Sequence, residues 1–123
     1  MSSAILAIET STPLGSVAVW RDGAVCFEQS FSSARSHNSQ LFEPLREALT
    51  TCGDGLSAIV VGTGPASYTG VRIGIAAAQG IALSRGVPGI GLASVLAVDG
   101  QTRGRYRVCG DARRGTFFLA AVD

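Results

Sequence analysis

Apolar and polar residues alternate along the first quarter of the chain with the two-residue period of β-strands. An apolar run covers Ala4 to Glu9, a second segment alternates from Gly15 to Trp20, and a third covers Ala24 to Phe31. Polar turn residues separate the first two segments. Asp22 and Gly23 separate the second from the third, and this dipeptide supplies the positive φ angles of a tight hairpin. The sequence therefore predicts a three-stranded antiparallel sheet at the N-terminus.

From His37 to Cys52 the apolar period changes to that of a helix. The apolar residues recur every three or four positions and comprise Leu41, Phe42, Leu45, Ala48, Leu49 and Cys52. Ser36 or Asn38 supplies a capping side chain at the start of this segment. Because Pro44 lies inside it, we expect either a kink or a helix whose regular part begins close to the proline.

The rest of the chain predicts strands and helices in alternation. After a short β-branched strand the predicted elements are a glycine-rich loop, a helix, a strand, a short helical segment, and two strands joined by a turn. In order they cover Ala58 to Val61, Gly62 to Gly70, Val71 to Leu83, Gly89 to Leu92, Ser94 to Asp99, Arg105 to Asp111, Ala112 to Gly115 and Thr116 to Val122. This is an α/β pattern, a mixed sheet with helices packed on it. It fits a ribonuclease H-like lobe, the half-unit of actin-like ATPases.

The helix after Gly70 has almost no polar face. With residues placed 100° apart, Arg72 and Gln79 form the only polar stripe along its body. The first of its two apolar arcs contains Val71, Gly74, Ile75, Ala78, Ile81 and Ala82, and the second contains Ile73, Ala76, Ala77, Gly80 and Leu83. One arc can pack on the sheet. The other is covered either by the amphipathic helix of the same chain or by a partner protein.

Composition and net charge predict a single globular domain. The chain has 123 residues, 46% hydrophobic and 15% charged, which suits one domain with one hydrophobic core. A net charge of +1 gives no general attraction to nucleic acid. Half of the ten basic residues cluster near the C-terminus, either as a solvated edge or as a surface for RNA or an acidic partner. They are Arg103, Arg105, Arg107, Arg113 and Arg114.

The sequence shows no targeting signal, and this and its cysteine pattern lead us to expect a cytoplasmic protein. The apolar runs end well short of the roughly 20 residues of a membrane span, and no signal-peptide pattern is visible, so we expect no membrane contact. Cys26, Cys52 and Cys109 are far apart and lack the spacing of a zinc site. We expect them to be small buried apolar residues.

A glycine-rich stretch is the first candidate for binding chemistry. Gly62 to Gly70 follows a strand and opens a helix, but it lacks the third glycine of a dinucleotide fingerprint and the GK[ST] ending of a P-loop. Backbone N–H groups and hydroxyls at the helix start can hold an anion, and the alternative is a tight strand-to-helix connection. The candidate anion loop consists of Ser11, Thr12, Gly62, Gly64, Ser67 and Thr69.

A pair of carboxylates is the second candidate. Glu9 ends the first strand beside a hydroxyl-rich turn, where lobes of this architecture place a metal-linked carboxylate. Asp111 ends a later strand, and two carboxylates are the minimum for a metal-dependent nuclease or phosphotransferase. His37 is the only histidine, so a histidine metal cage is excluded within this chain.

Four stretches follow one another over nearly the whole chain: ILAIETSTPLGSVAVW, RSHNSQLFEPLREAL, GTGPASYTGVRIGIAAAQGIAL and DARRGTFF. Together they resemble the TsaB family, also called YeaZ, of bacterial tRNA threonylcarbamoyladenosine biosynthesis proteins. The resemblance implies the actin-like ATPase fold with two ribonuclease H-like lobes. Residues 1–123 then form one such lobe, and we expect the second lobe to be absent, through an expressed fragment or a truncated gene product.

The resemblance also implies a function without catalysis or cofactor. Members pair with the paralogous transferase TsaD and act with the ATPase TsaE in transferring threonylcarbamoyl to the adenosine beside the anticodon, so tRNA contact is indirect. The implied dimer surface is helical, and it serves either TsaD or a second copy of the protein when it is alone. The interface is predicted to comprise Leu41, Leu45, Ile73, Gly74, Ala76, Ala77, Gly80 and Ile81.

The sequence departs from the catalytic paralogue at its metal site. The paralogue carries a pair of histidines in its first-helix region, whereas here His37 stands alone and Leu41 follows four residues on. We therefore expect neither metal binding nor transfer chemistry in this chain.

Overall fold

A computed structural model describes residues 2–32, 37–65, 68–94, 106–113 and 116–122. The elements in chain order are β1 (Ala4–Glu9), β2 (Leu14–Arg21), β3 (Ala24–Ser32), α1 (His37–Cys52), a 3-10 turn (Gly53–Gly55), β4 (Leu56–Gly62), α2 (Tyr68–Arg85), β5 (Gly89–Leu92), β6 (Tyr106–Arg113) and β7 (Thr116–Val122). The sequence predicted these helices and strands closely. The predicted helical segment at Ser94 to Asp99 lies outside the described residues from residue 95 onward.

Five strands form one mixed sheet in the order β3-β2-β1-β4-β5. β1 pairs antiparallel with β2, and β2 with β3, whereas β4 pairs parallel with both β1 and β5. Asp22 and Gly23 have positive φ angles of 55° and 80° in the β2–β3 turn, as the Asp-Gly dipeptide predicts. β6 and β7 pair with each other in a second, two-stranded sheet. The predicted α/β class with an antiparallel N-terminal sheet is confirmed.

The hydrophobic core lies between one face of the sheet and the two helices. Because side chains alternate along a strand, β1 buries Ala4, Leu6 and Ile8 on that face. The strand register places Leu6 beside Val19 of β2 and Ile59 of β4, and all three are fully buried. α1 packs over β1, β2 and β3, while α2 packs over β1, β4 and β5.

Arg21 of β2 fixes the C-terminal end of α1 to the sheet. Its guanidinium donates to the carbonyl oxygens of Thr51 at 3.1 Å and Cys52 at 2.8 Å. Carbonyls in the last turn of a helix lack intrahelical partners, and a cation is favourable there. Pro44 lies inside α1, so the helix begins well before the proline.

The cysteines differ in their surroundings. Cys52 is buried as predicted, and burial raises the pKa of its thiol because the thiolate is disfavoured away from water. Cys26 is exposed on β3, so the expectation of burial is wrong for this residue. The physical reason is that β3 is an edge strand with only one buried position, Phe31. The side chain of Cys109 lies outside the described part of the structure.

Neither α1 nor α2 is long and apolar enough to cross a membrane; this statement covers the described ranges of the chain.

Candidate functional site

α2 lies on the sheet through the face that carries two of its glycines. Gly70, Gly74 and Ala78 are buried, and a Cβ atom at Gly74 would overlap the hydroxyl oxygen of Thr10. The same Thr10 hydroxyl donates to the carbonyl oxygen of Gly70 at 2.6 Å. The first arc of the helix therefore faces the sheet. Gly74, predicted for the partner interface, is instead enclosed by its own chain, because α2 approaches the strand so closely there.

A cavity of about 570 Å³ lies between the N-terminal half of α2 and α1. It is lined by Leu41, Phe42, Leu45, Thr69, Arg72, Ile73, Ala76 and Ala77. The structure thus places five of the predicted interface residues around one cavity, namely Leu41, Leu45, Ile73, Ala76 and Ala77. Gly80 is exposed on α2 but does not line this cavity.

A second cavity, of about 690 Å³, continues along the two helices toward their C-terminal ends. Its lining comprises Phe42, Leu45, Arg46, Leu49, Thr50, Gly53, Asp54, Ile81 and Arg85. Phe42 and Leu45 line both cavities, so the two are continuous and form one feature, the α1–α2 groove. Leu41 and Leu45 are buried and make its floor, whereas Phe42 is 70% exposed and rises from its wall.

The rim of the α1–α2 groove carries charges of both signs. Arg46 and Glu43 form an exposed ion pair at 2.6 Å, and the hydrogen bond to Glu43 raises the pKa of Arg46. Arg85 donates to the carbonyl oxygen of Gly53 at 3.1 Å. Exposed ion pairs contribute little to stability. The apolar floor is therefore the main source of binding energy that this surface offers.

The carboxylate of Glu9 links the end of β1 to Ser94 and lies against the end of β4. Its Oε1 accepts hydrogen bonds from the backbone N–H of Ser11 at 2.9 Å and the hydroxyl of Ser94 at 3.1 Å. Its other oxygen lies so close to Gly62 that a Cβ atom there would overlap it. Asp111 lies in β6 of the second sheet, and its side chain is not among those described. A joint role of the two carboxylates stays a prediction.

Across the described ranges, no cluster of three or more histidine, cysteine, aspartate or glutamate side chains is placed to hold a metal ion.

The glycine-rich loop uses its own N–H groups within the chain. The N–H of Thr63 donates to the carbonyl oxygen of Leu92 at 2.8 Å, and the N–H of Gly64 donates to the hydroxyl of Ser94 at 3.0 Å. The N–H of Ser94 in turn donates to the carbonyl oxygen of Gly64 at 2.8 Å. These bonds favour the tight strand-to-helix connection over an anion site. Ser67 lies outside the described residues.

Ser11, Thr12 and Thr69, the other described members of the candidate anion loop, have different surroundings. Ser11 is buried, and the hydroxyl of Thr12 donates to the carbonyl oxygen of Leu14 at 2.8 Å. Thr69 lines the α1–α2 groove instead. The structure therefore brings together the predicted interface residues much better than the predicted anion loop.

Sequence reasoning missed Phe42 as an exposed groove residue. Leu41 and Phe42 both belong to the apolar series of α1, but adjacent residues on a helix point about 100° apart and do not share a face. With Leu41 in the core, Phe42 turns outward. The position of Phe42 directly after Leu41 was the sequence signal that could have identified it as an exposed residue.

Substitution of Glu9 separates its role as a hydrogen-bond acceptor from its charge. Glu9→Ala is expected to lower the free energy of unfolding by about 1–3 kcal/mol, because it leaves the N–H of Ser11 without its acceptor. Glu9→Gln keeps an oxygen acceptor, and we expect it to lose less than half as much. Urea titrations followed by circular dichroism measure both, and equal losses in the two variants would contradict the acceptor role.

Comparison with known proteins gives matches over most of the chain. Residues 31–122 match the family model of TsaD, described as tRNA N6-adenosine threonylcarbamoyltransferase. The chain is 39% identical over 122 residues to the tRNA threonylcarbamoyladenosine biosynthesis protein TsaB of Escherichia coli (strain K12), covering 97% of this chain and 49% of that protein. Its identity to the protein of the same name from Bacillus subtilis (strain 168) is 35% over 120 residues, covering 93% and 52%.

A solved structure, YeaZ from Pseudomonas aeruginosa, superposes with a TM-score of 0.81 at 29% sequence identity. The match covers 97% of this chain and 59% of that chain. This similarity confirms the predicted lobe of the actin-like, ribonuclease H-like fold. The chain spans about half the length of the curated relatives it matches.

Proposed function

Because the chain belongs to the TsaD family, in its TsaB (YeaZ) branch, we propose that it is a non-catalytic partner subunit in the biosynthesis of tRNA threonylcarbamoyladenosine. Its proposed partners are the transferase paralogue TsaD and, within the same complex, the ATPase TsaE. Alone it forms a homodimer through the same surface, and tRNA reaches it only through the complex. The observation that carries the proposal is the apolar α1–α2 groove, which leaves part of the helical layer uncovered.

The dimensions of the α1–α2 groove favour a protein partner. It runs between helices of 16 and 18 residues, which at 1.5 Å per residue are about 25 Å long. An amphipathic helix fits such a groove with its apolar stripe on the floor. Ala76 and Ala77 have small side chains on the α2 wall, so the backbone of a partner helix can approach closely.

The absence of catalysis is supported by the residues that stand where the paralogue carries chemistry. Leu41, at the place of the second histidine, is buried in the core and lines the floor of the α1–α2 groove. One oxygen of the Glu9 carboxylate, Oε1, accepts two hydrogen bonds from its own chain. We therefore assign the transfer reaction to the partner and a binding role to this chain.

Size-exclusion chromatography with light scattering tests the proposal. The purified chain alone is expected to show a mass that rises with concentration toward that of a dimer. Mixed with the purified transferase paralogue, it is expected to elute as a heterodimer. A chain that stays monomeric at all concentrations and elutes separately from the paralogue would contradict the proposal.

The alternative is a metal-dependent nuclease or phosphotransferase that uses Glu9 and Asp111. It requires magnesium-dependent turnover by the purified chain that disappears in Glu9→Ala. Such activity, with binding to the paralogue absent, would replace the proposed partner role.

A further inference from the structure

The width of the α1–α2 groove depends on where the sheet holds each helix. Each helix packs mainly on the sheet and meets the other helix directly at only a few positions, with Arg85 of α2 bonded to the carbonyl oxygen of Gly53 just after α1, so the sheet contributes much of what fixes their spacing. Arg21 ties the end of α1 to β2 through two helix carbonyls. α2 needs a corresponding attachment, and the structure contains one at the end of β1.

That attachment is Thr10, whose side chain is fully buried directly after β1. Its hydroxyl donates to the carbonyl oxygen of Gly70 in the first turn of α2. One turn later the same oxygen occupies the space that a Cβ atom of Gly74 would need, with Val61 of β4 next to it. The hydroxyl of Thr10 therefore both binds α2 and limits how closely it approaches the sheet.

We propose that Thr10 is a positioning residue for the α1–α2 groove, because its hydroxyl sets the height of α2 above β1 and thereby the spacing of the groove walls. The inference rests on the proposed function, in which a partner protein fills the groove. Interfaces pack as densely as protein interiors, so a small shift of one wall removes contacts along the whole groove. Thr10 itself lines neither cavity, so its effect on binding is transmitted through α2.

Two substitutions of Thr10 separate the hydroxyl from the shape of the side chain. Thr10→Val keeps the shape, removes the donor to Gly70 and puts a methyl group against Gly74. We expect it to weaken binding to the purified transferase paralogue by about tenfold, because a shifted α2 loses contacts along its wall of the groove. Thr10→Ser keeps the hydroxyl and should bind within about threefold of the parent. Isothermal titration measures both affinities, and urea unfolding measures the stability of each variant.

Glu9→Ala is the matched control, because it loosens the same end of β1 without touching α2. It is expected to reduce stability and to leave the affinity within about threefold of the parent. If Glu9→Ala weakens binding as much as Thr10→Val, loosening of the strand end explains the effect and the positioning role is wrong. Parent-like binding by Thr10→Val overturns it as well.

Gly74→Ala supplies a second route if Thr10→Val does not fold. Its added methyl group meets the hydroxyl of Thr10 from the helix side and should also weaken binding. Adding Thr10→Ala to Gly74→Ala removes the overlap and should recover part of the loss. Parent-like binding by Gly74→Ala overturns the inference.

Phe42→Glu distinguishes this inference from the proposed function, because Phe42 lines the groove directly. If Phe42→Glu and Thr10→Val both bind like the parent, the groove does not receive the paralogue and both proposals are wrong. If Phe42→Glu loses binding and Thr10→Val does not, only the positioning role of Thr10 is wrong.

Discussion

Phe42→Glu is expected to weaken binding to the transferase paralogue at least about 100-fold while changing the free energy of unfolding by less than about 0.5 kcal/mol. Phe42 is 70% exposed in the free chain and lines both cavities of the α1–α2 groove. In the complex, a glutamate at this position would replace the apolar contacts of the ring by a charged group that loses contact with water, and this desolvation is costly. Isothermal titration measures the affinity, and urea titration measures the stability.

Gln40→Glu is the control for this substitution. Gln40 is exposed on the same helix and lines neither cavity, so it introduces the same change of charge outside the α1–α2 groove. We expect it to bind like the parent. Equal losses of affinity in Phe42→Glu and Gln40→Glu would mean that general charge repulsion, not the groove, determines binding.

Ala78→Glu is expected to lower the free energy of unfolding by more than about 4 kcal/mol, a large part of the total of about 5–15 kcal/mol that is typical of a folded domain. Ala78 is 2% exposed and belongs to the core, so its replacement would bury an unpaired carboxylate. Ala76→Glu lies two residues earlier on the exposed side of α2. It is expected to keep the fold and to weaken binding to the paralogue. Circular dichroism during thermal unfolding distinguishes the two variants.

The comparison of these two alanines also tests the rotation of α2. If Ala78→Glu unfolds like the parent and Ala76→Glu is largely unfolded, then α2 packs on the sheet through its other arc. The assignment of Ala76 and Ala77 to the groove would then be wrong.

The spacing of apolar residues predicts the strands and helices, but it does not predict which apolar arc of α2 packs on the sheet. Both arcs of this helix are apolar, so hydrophobicity does not distinguish them. Size decides instead, since Gly70 and Gly74 permit the close approach to Thr10 that bulkier residues would prevent. Because Thr10 and Gly70 are 60 residues apart in the chain, a local pattern contains no sign of this contact.

The role of Glu9 also depends on a contact with a distant residue, so a local sequence pattern does not predict it. A carboxylate at the end of a strand beside a hydroxyl-rich turn suggests metal chemistry. The sequence alone does not distinguish this role from that of a hydrogen-bond acceptor within the chain. The structure adds the hydroxyl of Ser94, 85 residues away, as a donor to Oε1. Local patterns predict strands, helices and amphipathic faces, whereas contacts between distant residues determine which polar groups are already occupied.

Oxidative footprinting of two exposed aromatic side chains locates the bound partner without any substitution. Phe42 lies in the α1–α2 groove, whereas Trp20, 47% exposed, follows the inward-facing Val19 on β2 and therefore lies on the opposite face of the sheet. Hydroxyl-radical oxidation of each is measured by mass spectrometry, for the chain alone and saturated with the transferase paralogue. The proposed function predicts that Phe42 is oxidised several-fold more slowly in the complex while Trp20 is unchanged. Protection of Trp20 with Phe42 oxidised at its free rate would contradict it.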